Sequence, residues 1–367
     1  MVSQTCNLSC QYCYQSHKTP GLMSAGVARR ILEDEFAQIA AEGPTRQMEI
    51  AYMGGEPLQN FALIRDLSEW VWSHEPSVPY ELTVRTNGTL LTREMERWFA
   101  ANRTRIRVGL SMDGLSTMNR INRTRSAPLW DFFCENWPTS RVKVVLFRDS
   151  VHLLAETVRE LNRAGVLFEA VVGEGFEWSA EAAAVLEREL TDLIPDYVDQ
   201  PEEAVDCGLF SLRIGDFFPE YPIRQAAFCG AANNIVAYDA DGSPCICHVF
   251  STPVLGARMA RWAWEHLKSV TSVPFDPECR ECPIHKNCKN CFGENLRLYG
   301  TIYRSASRAT RCRAIQAKAR ACSRLFMQRV ERRIASGQPL TRDELEDAER
   351  AVRLLETVPP FSRPIGS

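Results

Sequence analysis

The chain has 367 residues, 45% of them hydrophobic, with 43 Lys and Arg against 46 Asp and Glu and a formal net charge of −3. That balance gives no basic field for a nucleic acid, and no apolar run reaches the roughly 18 residues of a membrane-spanning helix, so neither nucleic acid nor membrane is an expected partner. Length favours one large domain plus an appended module, and 14 cysteines without a secretory signal pattern predict a cytoplasmic protein whose cysteines hold metal rather than pair as disulfides.

From the N-terminus, the first chemical feature is the trio Cys6, Cys10 and Cys13 in TCNLSCQYCYQ. Three thiolates can hold a four-iron cluster and leave one iron open for another molecule. A zinc ion is the alternative, although it wants a fourth ligand and His17, the only histidine nearby, lies in a polar stretch. Residues 24–41 then place Val27, Ile31, Leu32, Phe36 and Ile39 on one broad helical face. MEIAYMGGEP runs from strand into glycine loop, FALIRDLSEWVWS is a helix, YELTVRTNG a strand and LTREMERWFAANR a helix. IRVGLSMDG, RVKVVLF and LFEAVVG add strands, with VHLLAETVRELNRAG as a helix between the last two. The alternation predicts an α/β fold with a parallel sheet, and about six units make a partial (β/α)6 barrel of the triosephosphate-isomerase type, with its site at the C-terminal strand ends. SAEAAAVLERELTDLI is an amphipathic helix, and Pro195 and Pro201 mark the expected end of the barrel. Domains are therefore expected at 1–205, 206–322 and 323–367.

The strand ends carry candidate ligands. Gly54 and Gly55 would let backbone approach a ligand closely, and Glu56 with neighbouring carbonyls can accept hydrogen bonds from an ammonium group. Pro57 closes that loop. Thr86-Asn87-Gly88 and Ser111-Met112-Asp113-Gly114 follow the next strands; Ser111 and Asp113 suit ribose hydroxyls, and Arg123 offers a fork for a carboxylate.

The second half is cysteine-rich: Cys229, Cys245, Cys247, Cys279, Cys282, Cys288, Cys291 and Cys312. IVAYDADGSPCICHVF reads as a hairpin turning at Asp241-Gly242, and on an extended strand Cys245 and Cys247 would face one side. The C-x2-C pairs alone would also suit a zinc-ribbon module. Cys134 and Cys322 are expected to be ordinary thiols. Thr341 to Glu344 forms a capping box opening a helix to about Thr357, with Leu345, Ala348, Val352 and Leu355 on the face expected to pack on the domain. The basic residues from Arg304 to Arg333 read as a solvated helical face on which an acidic leader peptide could dock.

The cysteine trio with Tyr12 before its last member, the GGEP run at 54–57, the TNG loop and the SxDG loop together resemble the radical S-adenosylmethionine (SAM) enzymes. The run Cys229, Gly242, Cys247, C-x2-C-x5-C-x2-C and Cys312 resembles their SPASM domain, so the likeness spans about residues 1–322. It implies a SAM-binding 4Fe-4S cluster on Cys6, Cys10 and Cys13, with Tyr12, Gly54, Gly55, Glu56, Pro57, Asn87, Ser111, Asp113 and Arg123 around SAM. It also implies two auxiliary 4Fe-4S clusters, one on Cys229, Cys247 and Cys291, the other on Cys279, Cys282, Cys288 and Cys312. The fourth ligand of the first of these is open: Cys245, Cys207 or none. The chain departs from the family in having Asn119-Arg120 where a His-Asp pair is usual, one residue fewer before Cys291, and His248 where sulfatase maturases carry Asp. A neutral imidazole there is a candidate catalytic base, or it hydrogen-bonds a cluster sulfur or backbone. The implied function is oxidative crosslinking (C–C, C–O or thioether) of a ribosomally made precursor peptide, with an electron donor such as flavodoxin or ferredoxin. A formylglycine-forming sulfatase maturase is the alternative, and an Fe–S electron-transfer protein the alternative of another class. No leader-binding winged helix precedes the trio, and Met1–Gln4 is all that remains of a first strand, so the start reads as a truncation or a late start codon.

Overall fold

A computed structural model describes residues 1–43, 47–123, 130–201, 207–220, 225–226, 229–274, 277–288, 291–303 and 311–359. Helix α1, Ala25–Glu42, opens where the Ser24 hydroxyl accepts the Val27 N–H at 3.3 Å and stops at Gly43, whose φ of +133° leaves the helical region. It buries Ala28, Leu32 and Phe36. The stripe is thus narrower than expected: Ile31, Val27 and Ile39 sit at its margin because the small Ala28 takes the close-contact position.

Strands β1 (Met48–Tyr52), β2 (Tyr80–Thr86) and β3 (Ile106–Leu110) pair in parallel with β2 central. Alternation with period two lines up Ile50, Leu82 and Ile106 in one row and Tyr52, Val84 and Val108 in the next, all buried. The intervening row carries Ala51, Thr83 and Arg107. The short run Met1–Thr5 pairs beside the end of β1: Val2 N–H bonds Met53 O at 2.7 Å, Gly55 N–H bonds Ser3 O at 3.0 Å, and Glu56 N–H bonds Thr5 O at 2.8 Å. At the other side, Ser111 bridges Lys143 in parallel, which places β4 (Val142–Leu146) next, and β5 (Phe168–Val172) pairs with β4. Helices α2 (Phe61–His74), α3 (Arg93–Ala101), α4 (Thr117–Arg123), α5 (Trp130–Asn136), α6 (Leu154–Arg163) and α7 (Ala180–Tyr197) alternate with these strands.

Pro195 lies inside α7 rather than in a linker. Proline lacks one N–H and disturbs the preceding turn, yet here it falls in the last turn, Val198 N–H still reaches Ile194 O at 2.9 Å, and Leu193, Ile194 and Tyr197 are buried. The described chain forms two compact units, one of residues 1–112, 123–143 and 230–271, the other of 113–122, 144–229 and 272–367. This partition interleaves the expected domain spans; 205/206 falls outside the described residues, and 322/323 falls within one continuous helix, Cys312–Ala335.

In the first unit, Ala237–Tyr238 pairs antiparallel with Pro244–Cys245 around Gly242 at φ +90°, the hairpin read from Asp-Gly. In the second, helix Cys312–Ala335 lies on α7, where Arg320 and Arg324 reach the buried Glu187 carboxylate at 2.8 and 2.6 Å. Residues 304–310 of the basic stretch lie outside the described residues. Several of the remaining arginines are engaged by the chain itself: Arg311 with Glu174, Arg313 with Glu177, Arg332 with Asp199, Arg333 with Glu344, and Arg329 with the Tyr197 and Gln200 carbonyls. The capping box of helix Arg342–Thr357 forms as expected, but the buried face is Ala351 and Leu354, while Leu345 and Val352 are 55% and 41% exposed. Arg320 explains the rotation: its guanidinium bonds the Leu355 and Val358 carbonyls, so the helix end is held by its backbone.

Candidate functional site

The cysteine loop starts where the paired run Met1–Thr5 ends. Cys6, Cys10 and Cys13 are half-buried thiols; Cys13 N–H closes a turn on Cys10 O at 3.0 Å, and Leu8 N–H points at Cys6 Sγ at 3.4 Å. Burial pushes the Cys6 thiol up. No three His, Cys, Asp or Glu side chains among the described residues stand at single-ion spacing. A four-iron cluster is a wider object that spreads its thiolates over the corners of a cube.

Two strand-end loops of the first unit, after β1 and after β2, close on the cysteine loop. Glu56 is 1% exposed; one carboxylate oxygen accepts the Thr86 hydroxyl at 2.5 Å and Leu58 N–H at 3.0 Å, and the other accepts Asn87 N–H at 2.8 Å. Burial raises its carboxyl above the usual range, against the pull of those donors and of Arg123. Glu56 therefore ties the loop after β1 to the loop after β2 and caps the 3-10 turn Pro57–Asn60. The Asn87 amide spans onward to Asn7 Oδ1 at 3.1 Å and Cys6 Sγ at 3.8 Å. The buried Arg123 guanidinium lies 5.6 Å from the Tyr12 ring centroid, and Ser111 N–H bonds Thr86 O at 2.8 Å.

Two sequence expectations change physically. Gly54 and Gly55 admit a close backbone approach, but what approaches is the chain itself: a Cβ on Gly54 would overlap Ser3 O, and one on Gly55 would overlap Thr5 O. Asp113 is fully buried, and its oxygens accept Val145 N–H at 2.8 Å and the Asn122 amide at 3.2 Å. Its carboxylate shapes the second unit's loop rather than facing solvent. The notable addition is Gln15, buried, whose Nε2 donates to Gly54 O at 3.1 Å while its Oε1 has no partner among the described residues. The site thus has an unmet acceptor beside the GGEP carbonyls, which fits a ligand bearing N–H donors. Sequence reading passed over this glutamine because nothing in its spacing sets it apart.

His248 lies in the same unit, edge-on to Tyr14 with ring centroids 5.9 Å apart; burial first, then nearby positive charge including Arg85, holds its imidazole below the ordinary value. Cys245 donates to Asp239 Oδ2 at 3.5 Å, and burial with that carboxylate pushes its thiol up. Cys207 is buried with its Sγ 3.9 Å from the Tyr197 hydroxyl. Cys229 and Cys291 belong to the second unit and Cys247 to the first. Within the second unit, Cys279, Cys282, Cys288 and Cys312 line one cavity with Ile284, His285, Ile315 and Gln316. These are the four cysteines that the sequence pattern grouped.

Glu56→Gln keeps volume but places an amide N–H against one of three donors. Leaving a buried donor unsatisfied costs about 1–3 kcal/mol, so calorimetry without SAM should show a lower melting temperature, and SAM affinity should fall with it. An unchanged melting temperature would remove the tie from this carboxylate.

Residues 1–133 match the family described as the Radical SAM superfamily. An uncharacterised protein of Methanocaldococcus jannaschii is 30% identical over 114 residues, 31% of this chain and 37% of that protein. A GTP 3′,8-cyclase of Klebsiella pneumoniae is 27% identical over 168 residues, 42% of this chain and 48% of that one. The chain thus spans less than half the length of these curated relatives. Among solved structures, native anSMEcpe with bound AdoMet, an anaerobic sulfatase maturase, superposes with TM-score 0.62 at 16% identity, covering 90% of this chain and 97% of that one. Streptococcus suis SuiB bound to precursor peptide SuiA gives TM-score 0.53 at 17% identity, over 84% and 74%. The fold is the α/β partial barrel of these proteins, with a cysteine-rich C-terminal region.

Proposed function

We propose, from the radical SAM domain that residues 1–133 form, that this protein is a radical SAM/SPASM peptide maturase installing a C–C, C–O or thioether crosslink in a ribosomally made precursor peptide. The observation that carries the reading is the closure of the GGEP and TNG loops on the cysteine trio through Glu56 and Asn87. When bound there, SAM and a four-iron cluster supply a 5′-deoxyadenosyl radical able to take hydrogen from an unactivated carbon. Cys6, Cys10 and Cys13 hold that cluster; the carbonyls of the loop 54–57 take the SAM amino group, Arg123 its carboxylate and the Ser111 hydroxyl its ribose. Asp113 contributes by holding its loop in shape.

Cys279, Cys282, Cys288 and Cys312, gathered on one cavity, hold one auxiliary cluster, and the sequence pattern assigns Cys229, Cys247 and Cys291 to the other. Cys245, as a thiol bonded to Asp239, supports the first auxiliary site less well than a bare thiolate would. His248, half-buried beside Tyr14, takes the proton released as the new bond closes. A flavodoxin or ferredoxin supplies the reducing electron, and the domain spans 1–205, 206–322 and 323–367 remain the assignment by family pattern.

The likeness to anSMEcpe over 97% of that chain favours a second reading, formylglycine formation on a sulfatase. One experiment separates the two. With the cognate precursor peptide, SAM and reductant, the product should weigh about two hydrogens less than the substrate, because joining two X–H sites removes two hydrogens, and fragmentation should be suppressed inside the linked segment. Loss of sulfur from a cysteine-bearing sulfatase peptide, with an aldehyde as product, would replace the crosslinking reading.

A further inference from the structure

Gln15 is a buried carboxamide that the functional reading leaves unused. Its amide orientation is fixed by its neighbour: a backbone carbonyl can only accept, so the group 3.1 Å from Gly54 O is the NH2 and the other end is the oxygen. That Oε1 is buried and has no hydrogen-bond partner among the described residues. Buried polar atoms in native proteins are paired, and an unmet one calls for a partner. The carboxamide is short, so Oε1 lies close to the Gly54 carbonyl, whose second lone pair remains after Gln15 binds the first. Two acceptors of opposite chain origin are thus set side by side: one belongs to the loop after β1, and the other stands two residues past Cys13. A group matching that pair is a small cation with several N–H donors. An ammonium, with three donors, satisfies both acceptors at once; a hydroxyl or a single N–H satisfies one.

We propose that Gln15 Oε1 accepts a hydrogen bond from the α-ammonium group of SAM, making this glutamine a binding residue that distinguishes the amino-bearing cofactor from analogues lacking the amine. The proposal rests on the reading above that SAM binds at the loop 54–57. Its physical content is specific: the bond is charge-assisted, formed out of water, and made only when the amine is present. Nε2 meanwhile holds the Gly54 carbonyl in line, so the same side chain positions one acceptor and provides the other.

The test is a cycle of SAM affinities on the anaerobically reconstituted protein, measured by equilibrium binding rather than turnover. Wild type and Gln15→Leu are each titrated with SAM and with the analogue in which the α-amine is replaced by hydrogen. A hydrogen bond to a charged group corresponds to about a ten- to hundredfold loss of SAM affinity in the variant, and the analogue should bind both proteins alike. Gln15→Glu, which keeps an acceptor oxygen but surrenders the bond to Gly54 O, should recover part of the SAM affinity that the leucine variant loses. Equal losses for SAM and analogue would show general loop damage, and equal SAM affinity in wild type and Gln15→Leu would show that Oε1 is met by water; either outcome overturns the proposal. Failure of wild type to bind SAM at all would instead overturn the functional reading beneath it.

Discussion

Replacing Cys6, Cys10 and Cys13 together by Ala is expected to remove about four irons per chain and to abolish reductive cleavage of SAM, with the fold retained. The thiols are half-buried on a loop, not in the core, so their loss opens little cavity. The contacts to Cys6 Sγ are long, a 3.4 Å approach of Leu8 N–H and a 3.8 Å approach of the Asn87 amide. The loop's position comes from elsewhere, from the pairing of Ser3 and Thr5 with Gly55 and Glu56. Circular dichroism and elution volume should match wild type while iron analysis and 5′-deoxyadenosine production fall. Cleavage that survives the triple change would mean that the cluster sits elsewhere.

Gly55→Ala should be among the most damaging single methyl additions in the chain. The new Cβ would overlap Thr5 O and crowd the carbonyl carbon and the Cys6 nitrogen, all backbone atoms that cannot rotate aside. Either the sheet end separates from the run Ser3–Cys6 or the bond angles strain, and overpacking of this kind costs about 1–3 kcal/mol. The consequence reaches the chemistry because the displaced backbone leads directly into Cys6. Denaturant midpoint and SAM affinity should therefore both drop. Gly26→Ala is the control: nothing lies within 4 Å of that Cβ, and in the first turn of α1 the change should be neutral or stabilise by up to about 1 kcal/mol. Equal behaviour of the two variants would show that the close approach at Gly55 is not felt.

Much of the site was readable because its chemistry depends on local spacing. The trio within eight positions, the glycine pair after an apolar run and the Asp241-Gly242 turn each declare themselves in a few residues. The grouping of Cys279, Cys282, Cys288 and Cys312 was likewise carried by pattern, and the structure lines one cavity with all four. What stayed hidden depends on partners distant in sequence. The use of Gly54 and Gly55 is set by Ser3 and Thr5, the fate of Asp113 by Val145 and Asn122, and the importance of Gln15 by a carbonyl at position 54. His285, three residues from Cys282 and from Cys288, carried a signal in its even spacing that only the shared cavity makes visible. Helix periodicity also misplaced the last helix face, since Leu345 and Val352 form an apolar stripe while Arg320, from another helix, decides which side is covered.

The central claim is that the loop of Cys6, Cys10 and Cys13, closed over by Glu56 and Asn87, is built to cleave SAM. The most direct measurement is chromatographic: wild-type protein, reconstituted with iron and sulfide under anaerobic conditions, is incubated with SAM and dithionite, and 5′-deoxyadenosine and methionine are quantified. The account predicts equimolar formation of both, dependent on reductant and on protein that carries about twelve irons per chain, three four-iron clusters in all. Protein that takes up iron fully yet yields no 5′-deoxyadenosine, or that binds zinc tightly with only about four irons, would contradict it.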